Sequence, residues 1–421
     1  MTSRERALTV LSGDTPDRVC IDFGATLATG INAQVYDKAK RLLGLHTLTT
    51  VTDVLSYLAE IEPEMLAAMG GDFVMLRRLA PSLGIPVTEF KTGALPDGTP
   101  VRIPAAFNPV QSAAGDLLIM ASPRAMDYIH PCDPAMGDHP YEGRVVSKCP
   151  KGYAAFARVF HPMAEVDTLD AFDRYVFPEF SEAEVAFYRH EAMRLRETTD
   201  KSVTGVFLGN VFEMGQLYFG YENFFAMMGG DEDLALAYME KRTQAYMRDL
   251  EKYLTAVGDL IDVIQFNDDL GTQDTTLVSP AMYRRMIKPY HARMFQYVRC
   301  HYPHVKVFFH SCGAVAELIP DIIECGAQIL NPVQITARGM DPKRLVRDFG
   351  GHIIFWGGGV DTQKVLNRAT PEAVGAQVRE LLSIYGKKGY VFSQIHNIDS
   401  DVPAQNMIAA FQAAQAGGLP A

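Results

Sequence analysis

The sequence predicts an α/β protein of the (β/α)8 TIM-barrel type, carrying a long insertion after the second strand. Three observations lead there: eight short apolar runs, polar residues or glycine at the ends of several, and helical periodicity between most of them. The runs are Arg18 to Phe23, Asp72 to Leu76, Val203 to Leu208, Asp262 to Phe266, Val305 to Phe309, Gln328 to Leu330, Ile353 to Trp356 and Tyr390 to Phe392. An apolar run ending in Gly, Asn, Asp or His and then a helical pattern is how a βα unit reads. Eight of them are the number a closed parallel barrel needs.

Between the runs, the segment Asp231 to Ala256 sets Leu234, Leu236, Tyr238, Tyr246, Leu250 and Leu254 at helical spacing. Pro280 to Val298 and Pro371 to Ile384 read the same way, and Ala314 to Glu324 and Pro342 to Phe349 supply shorter helices. The stretch from about 80 to 178 breaks the alternation. It is rich in Pro, Gly and polar residues, as in Pro96-Asp97-Gly98-Thr99-Pro100, with short alternating runs such as Val101-Arg102-Ile103. It reads as an insertion containing β-hairpins and covering part of the barrel mouth, within a single domain spanning residues 1–421.

With 421 residues and 48% apolar content, the chain can bury a large core. A formal charge of -11 without any basic run argues against nucleic-acid binding, which needs clustered Lys and Arg. No apolar stretch is long enough for a signal peptide or a membrane span, so a cytoplasmic location is the expectation, with no membrane partner. The six cysteines are too scattered for a disulfide framework and are expected to be mostly reduced thiols.

A (β/α)8 barrel collects its chemistry at the C-terminal ends of the strands. The third strand presents Asn210 and Glu213, and the fourth Asn267, Asp268 and Asp269. From the fifth come His310 and Cys312, from the sixth Asn331 and Gln334, from the seventh Gly357-Gly358-Gly359 and Asp361, and from the eighth Gln394, His396 and Asn397. His310 and Cys312 are two positions apart, so at the end of an extended segment both can reach one point. Imidazole and thiolate are preferred zinc ligands, and a catalytic zinc usually takes three protein ligands with one position open. His396 is the candidate third. The plainer readings are a capping His396, a Cys312 that is only a small apolar side chain, and Asp268 or Asp269 as helix or turn caps. The glycine run could cradle a phosphate or permit close backbone approach. Cys325, at a helix end closed by Gly326, reads as a structural thiol of the outer layer, while Cys132 and Cys149 in the insertion are further candidates for a fourth ligand.

The order of these motifs resembles the uroporphyrinogen decarboxylase superfamily, which includes zinc-dependent methyltransferases of corrinoid pathways. The matching pieces are Asn267-Asp268-Asp269-Leu270-Gly271-Thr272-Gln273, Ser279-Pro280 with Ile287-Lys288-Pro289, His310-Ser311-Cys312-Gly313, Asn331-Pro332-Val333-Gln334, Phe355-Trp356-Gly357-Gly358-Gly359-Val360-Asp361 and His396-Asn397-Ile398. They cover the C-terminal half well and the N-terminal half loosely. Where porphyrinogen decarboxylases carry an arginine-rich segment after the first strand, this chain has Asp22-Phe23-Gly24-Ala25-Thr26-Leu27-Ala28-Thr29. The methyltransferase branch is marked by the His-x-Cys pair, and its coenzyme M members add a second cysteine where this chain has His396.

The resemblance therefore implies a zinc-dependent methyltransferase moving a methyl group between a small molecule and a corrinoid (cobalamin) on a partner protein. Zinc would be held by His310, Cys312 and His396. Glu213, Asp268 and Asp269 are the expected catalytic groups, as fourth ligand, orienter or proton donor, and Asn210, Asn267, Asn331, Gln334 and Asp361 are expected around the substrate. Barrels of this superfamily often form homodimers. The rival reading is a metal-independent decarboxylase or lyase acting on a carboxylate, with Asp268, Asp269 and His396 handling the carbanion and its proton; a third is a silent tetrapyrrole-binding protein.

Overall fold

The computed structural model describes residues 1–121, 131–137 and 140–417. Eight parallel strands form a nearly closed barrel: β1 (Cys20–Ile21), β2 (Phe73–Leu76), β3 (Ser202–Leu208), β4 (Val263–Asn267), β5 (Lys306–His310), β6 (Ile329–Asn331), β7 (Ile354–Trp356) and β8 (Tyr390–Phe392). The ladder runs β1-β8-β7-β6-β5-β4-β3-β2, each strand beside its neighbours in sequence. The eight expected runs are these eight strands, within a few residues at their ends.

The seam between β1 and β2 is bridged by one residue. The Asp72 N–H donates to the Ile21 carbonyl at 2.8 Å, and the Asp72 carboxylate accepts the Ile21 N–H at 3.0 Å. Arg6 and Arg18 each hold that buried carboxylate from 2.7 Å. Arg6 belongs to the N-terminal helix Ser3–Leu11, started by a Thr2–Glu5 capping box. Its Ala7, Val10 and Leu11 cluster with Cys20, Phe73, Val263, Phe308, Ile329, Ile354, Trp356 and Val391 from the strands. This inner core closes the barrel at its lower end and leaves the upper end for polar groups.

Alternation along β5 follows from that core. Phe308 faces the barrel interior, 5.2 Å from the Trp356 ring, so His310 two positions on faces inward as well. Phe309 points to the outer layer and packs against His291 and Phe295. The helix Glu232–Val257 matches the periodic segment, whereas Pro280 to Val298 divides into Pro280–Met286 and Lys288–His301. Pro289 explains the break: its ring and missing N–H allow the second helix to start at Lys288 but not to run on from the first.

After β2 come an antiparallel pair, Phe90–Ala94 with Pro100–Pro104, and a four-stranded antiparallel sheet of Val110–Gln111, Leu117–Met120, Val145–Cys149 and Ala157–Arg158. A further small pair, Val51–Asp53 with Leu58–Ala59, lies between β1 and β2 and has no counterpart in the sequence reading. Among the described residues, no helix is long and apolar enough to cross a membrane.

Candidate active site at the barrel mouth

The strand register sets the site. Asn267, His310 and Asn331 are partners across β4, β5 and β6, forming the uppermost rung of the ladder. Beyond that rung the chain turns sharply at Gly313. Its φ of +91° lies in the left-handed region, and a Cβ there would stand 2.5–2.6 Å from the carbonyl oxygens of Gly271 and Thr272. Only glycine fits that turn. The turn is tied further by the Gly313 N–H donating to Gln334 Oε1 at 2.8 Å and by the Cys312 N–H donating to Asp269 at 2.8 Å.

Three ligand-type atoms meet there. Those of His310, Cys312 and His396 all lie within 4.8 Å of one another, with Cys312 Sγ 3.3 Å from His310 Nε2. The His310 tautomer follows from its neighbours. Asn331 donates through Nδ2 to the Trp356 carbonyl at 2.9 Å, which turns its Oδ1 to His310 Nδ1 at 2.6 Å. A carbonyl accepts only, so Nδ1 carries the proton and Nε2 presents its lone pair toward Cys312 and His396. The two imidazole rings stand 5.4 Å apart, steeply tilted. His396 is open at the mouth, yet the surrounding protein and then the neighbouring His310 lower its pKa, favouring the neutral ring.

Carboxylates surround this cluster with unequal roles. Asp269 is part-exposed, its carboxylate 3.7 Å from His310 Nε2. Glu213 is pushed up to about 7, first by its surroundings and then by the Asp269 charge, and it accepts from Asn210 Nδ2 at 3.0 Å. The Cys312 thiol is held well above its ordinary value by burial and by Asp269 and Glu213. These pressures favour a neutral thiol in the absence of a cation, and a dication placed among them would reverse the balance.

Asp268 is fully buried and accepts from three protein donors: the N–H of Phe212 at 2.8 Å, the N–H of Glu213 at 2.6 Å and His291 Nε2 at 2.9 Å. Its work is to fix the loop that presents Glu213. That loop begins at Leu208, whose φ of +80° is rare for a branched residue and marks strain at the rim. Asn331, Gln334 and Asp361, anticipated around a substrate, each make hydrogen bonds to protein groups. Asn331 orients His310, Gln334 ties Gly313 to Gln273, and Asp361 accepts the N–H groups of Gln363 and Lys364 as a turn cap. The glycine run is packed by protein: a Cβ on Gly358 would stand 2.5 Å from the Val333 carbonyl and one on Gly359 2.9 Å from the Ser393 carbonyl. Cys325 lies buried at its helix end, 3.8 Å from the Tyr283 hydroxyl, and the Cys149 thiol donates to the Tyr153 carbonyl.

Asn210, Glu213, Asn267, His310 and His396 line one cavity of about 360 Å³, together with Phe156 and Arg158 from the segment after β2. Three residues on its wall were missed by the sequence reading: Arg78, Arg158 and Arg242. Arg78 carried a usable signal, because it stands two residues beyond β2, where a barrel strand delivers its chemistry. Arg242 carried none. It sits in the middle of a long helix whose pattern reads as outer layer, and only packing turns it to the cavity. Asp22, directly after β1, was also missed; it is fully buried, accepts from Trp356 Nε1 at 2.7 Å, and is pushed up to about 6 by burial.

Fold and mouth together define a class: a (β/α)8 barrel whose ionisable and ligand-type groups converge at the C-terminal end of the strands. The chain belongs to the uroporphyrinogen decarboxylase (URO-D) family, whose model matches residues 156–417. It is 31% identical over 186 residues to the uroporphyrinogen decarboxylases of two strains of Thermus thermophilus, a match covering 43% of this chain and 48% of each relative. The chain thus spans about half the length of the curated relatives it matches. Its fold is shared with a methyltransferase from Methanosarcina mazei, at 15% identity and a TM-score of 0.60 over 99% of both chains.

Proposed function

We propose that this protein is a zinc-dependent methyltransferase that moves a methyl group between a small molecule and a corrinoid carried on a partner protein. The observation that carries this reading is the convergence of His310, Cys312 and His396 within 4.8 Å. The donor set suits zinc: two imidazoles and a thiol, with one imidazole fixed in the ligating tautomer. Zinc, when bound, supplies Lewis acidity, lowering a thiol's pKa or polarising the oxygen or nitrogen that the methyl group leaves. Asn331 keeps His310 aimed. Asp269 is the carboxylate best placed as a fourth ligand or as the group that replaces it when substrate leaves. Glu213, near neutrality, can hold or release a proton beside the reacting heteroatom. Asp268, whose oxygens already accept three hydrogen bonds, acts as a positioning residue for Glu213.

The test is metal content joined to turnover. Purified protein should bind close to one equivalent of zinc, and His310→Ala and Cys312→Ala should lose both zinc and methyl transfer with methylcobalamin. Full activity of metal-stripped protein would reject the reading.

A second reading is favoured by the similarity to uroporphyrinogen decarboxylases: a decarboxylase acting on a carboxylate substrate without metal. It expects carbon dioxide release that survives chelation. Asp22 to Thr29 holds no arginine, so the carboxylates of such a substrate would fall to Arg78, Arg158 and Arg242 on the cavity wall and not to the segment after β1.

A further inference from the structure

Three guanidinium groups face the same cavity as His310 and His396. No carboxylate lies within ion-pair distance of Arg78, Arg158 or Arg242 among the described residues, whereas Arg6 and Arg196, also withdrawn from solvent, pair with Asp17 and Asp72 and with Asp262 respectively. Arg242 is 8% exposed, and among the described residues its Nε and Nη1 have no hydrogen-bond partner, nor have the Nε atoms of Arg78 and Arg158. Guanidinium cannot escape by losing its proton, so three of them around one partly desolvated space repel each other and leave donors unsatisfied.

The surroundings keep these groups in place without neutralising them. Arg242 stacks on the Tyr246 ring at 3.7 Å, and Tyr246 in turn donates to Asn210 at 3.1 Å. Arg158 donates through Nη2 to the Ser82 carbonyl at 2.6 Å. Glu184, Asp249 and Glu213 act on Arg78, Arg242 and Arg158 only from beyond ion-pair distance, and their hydrogen bonds go elsewhere: to the capping box of Ser181, the Phe180 N–H and Asn210. Forked donors that keep buried N–H groups unpartnered and have no carboxylate at ion-pair distance among the described residues are complementary to a planar anion.

We infer that the cavity takes its small-molecule substrate as a carboxylate, held by Arg78, Arg158 and Arg242 while the substrate's other end reaches His310, Cys312 and His396. The inference deepens the methyltransferase reading and rests on it only for which end of the substrate reacts. It narrows the methyl donor or acceptor to acids: thiol acids, methoxy acids or amino acids, in place of neutral alcohols or simple amines.

The test is calorimetric titration of the full-length protein, zinc-loaded and metal-stripped, with 4-methoxybenzoate and 3-mercaptopropionate, each against its uncharged amide, and with inorganic phosphate. At least one acid should bind about tenfold or more tighter than its amide, as charge-assisted hydrogen bonds require. That preference should fall by about tenfold in Arg158→Gln and in Arg242→Gln, with folding checked by circular dichroism. Arg158→Gln is the safer variant, because Arg242 also packs on three aromatic rings. Equal binding of every acid and amide, no binding of either acid, a preference untouched in both variants, or phosphate outcompeting both carboxylates would each overturn the inference. A carboxylate preference in metal-stripped protein that never takes up zinc would leave this inference standing and remove the methyltransferase reading; zinc-dependent transfer to neutral substrates alone would do the opposite.

Discussion

His310 and Asn331 are register partners on β5 and β6, and their side chains meet at 2.6 Å, Nδ1 to Oδ1. Because the Trp356 carbonyl holds the other side of the amide, the imidazole has one tautomer available, and its Nε2 is left for a ligand. Asn331→Ala should weaken zinc binding about 10–100-fold, the usual cost of losing a ligand's supporting hydrogen bond. Asn331→Asp, which still accepts from Nδ1, should recover most of it. Competition against a chromogenic chelator measures both, and unchanged affinity in the alanine variant would remove Asn331 from the site.

Gly313 carries the turn that brings Cys312 back toward His310. A methyl group there meets the backbone of Gly271 and Thr272 in a left-handed conformation, so Gly313→Ala should cost on the order of 2–4 kcal/mol from overpacking and backbone strain together. Urea unfolding reads the stability, and zinc content should fall in the fraction that remains folded. Wild-type stability in the variant would mean that the loop yields easily.

Asp22 supplies a pH signature independent of the metal. Burial raises its pKa from an ordinary 3.8 to about 6, so between those values the folded state keeps a proton that the unfolded chain releases. Stability therefore falls as pH rises through roughly 4 to 6, by an amount on the order of 3 kcal/mol, and then levels off. In Asp22→Asn that component disappears. Unfolding midpoints of wild type and variant, compared at several pH values across this window, should show a difference that changes with pH; a constant difference would contradict the assignment.

The Asp72 clasp predicts a separation between stability and chemistry. Asp72→Asn would leave Arg6 and Arg18 without their shared buried partner at the β1–β2 seam, at a cost of about 3–5 kcal/mol. Zinc affinity measured on the folded variant should stay within about twofold of wild type, since the clasp is at the lower end of the barrel and the site is at the upper rim. A parallel loss of zinc would show that seam and rim are coupled.

The barrel was legible because each strand carries its own signal. A buried parallel strand must be apolar along its length, and the next loop must begin with residues that tolerate a turn, so eight local patterns sufficed. His310 and Cys312 were legible for the same reason: their spacing of two is a local fact. The roles of neighbouring polar residues were not local. Asn267, Asp268 and Asp269 are adjacent in sequence, yet one lines the cavity, one binds two backbone amides and His291, and one approaches His310.

What the sequence by itself determined is the alternation of strand and helix and the inventory of groups delivered to the strand ends. Tertiary structure alone decided which of those groups face one another. Register sets His310 beside Asn331, packing turns Arg242 from the outer helix layer into the cavity, and desolvation drives Asp22 and Glu213 toward neutrality. The physical reason is that hydrophobic periodicity is written along the chain, whereas electrostatic and hydrogen-bond partnership depends on distances between residues that the chain holds far apart.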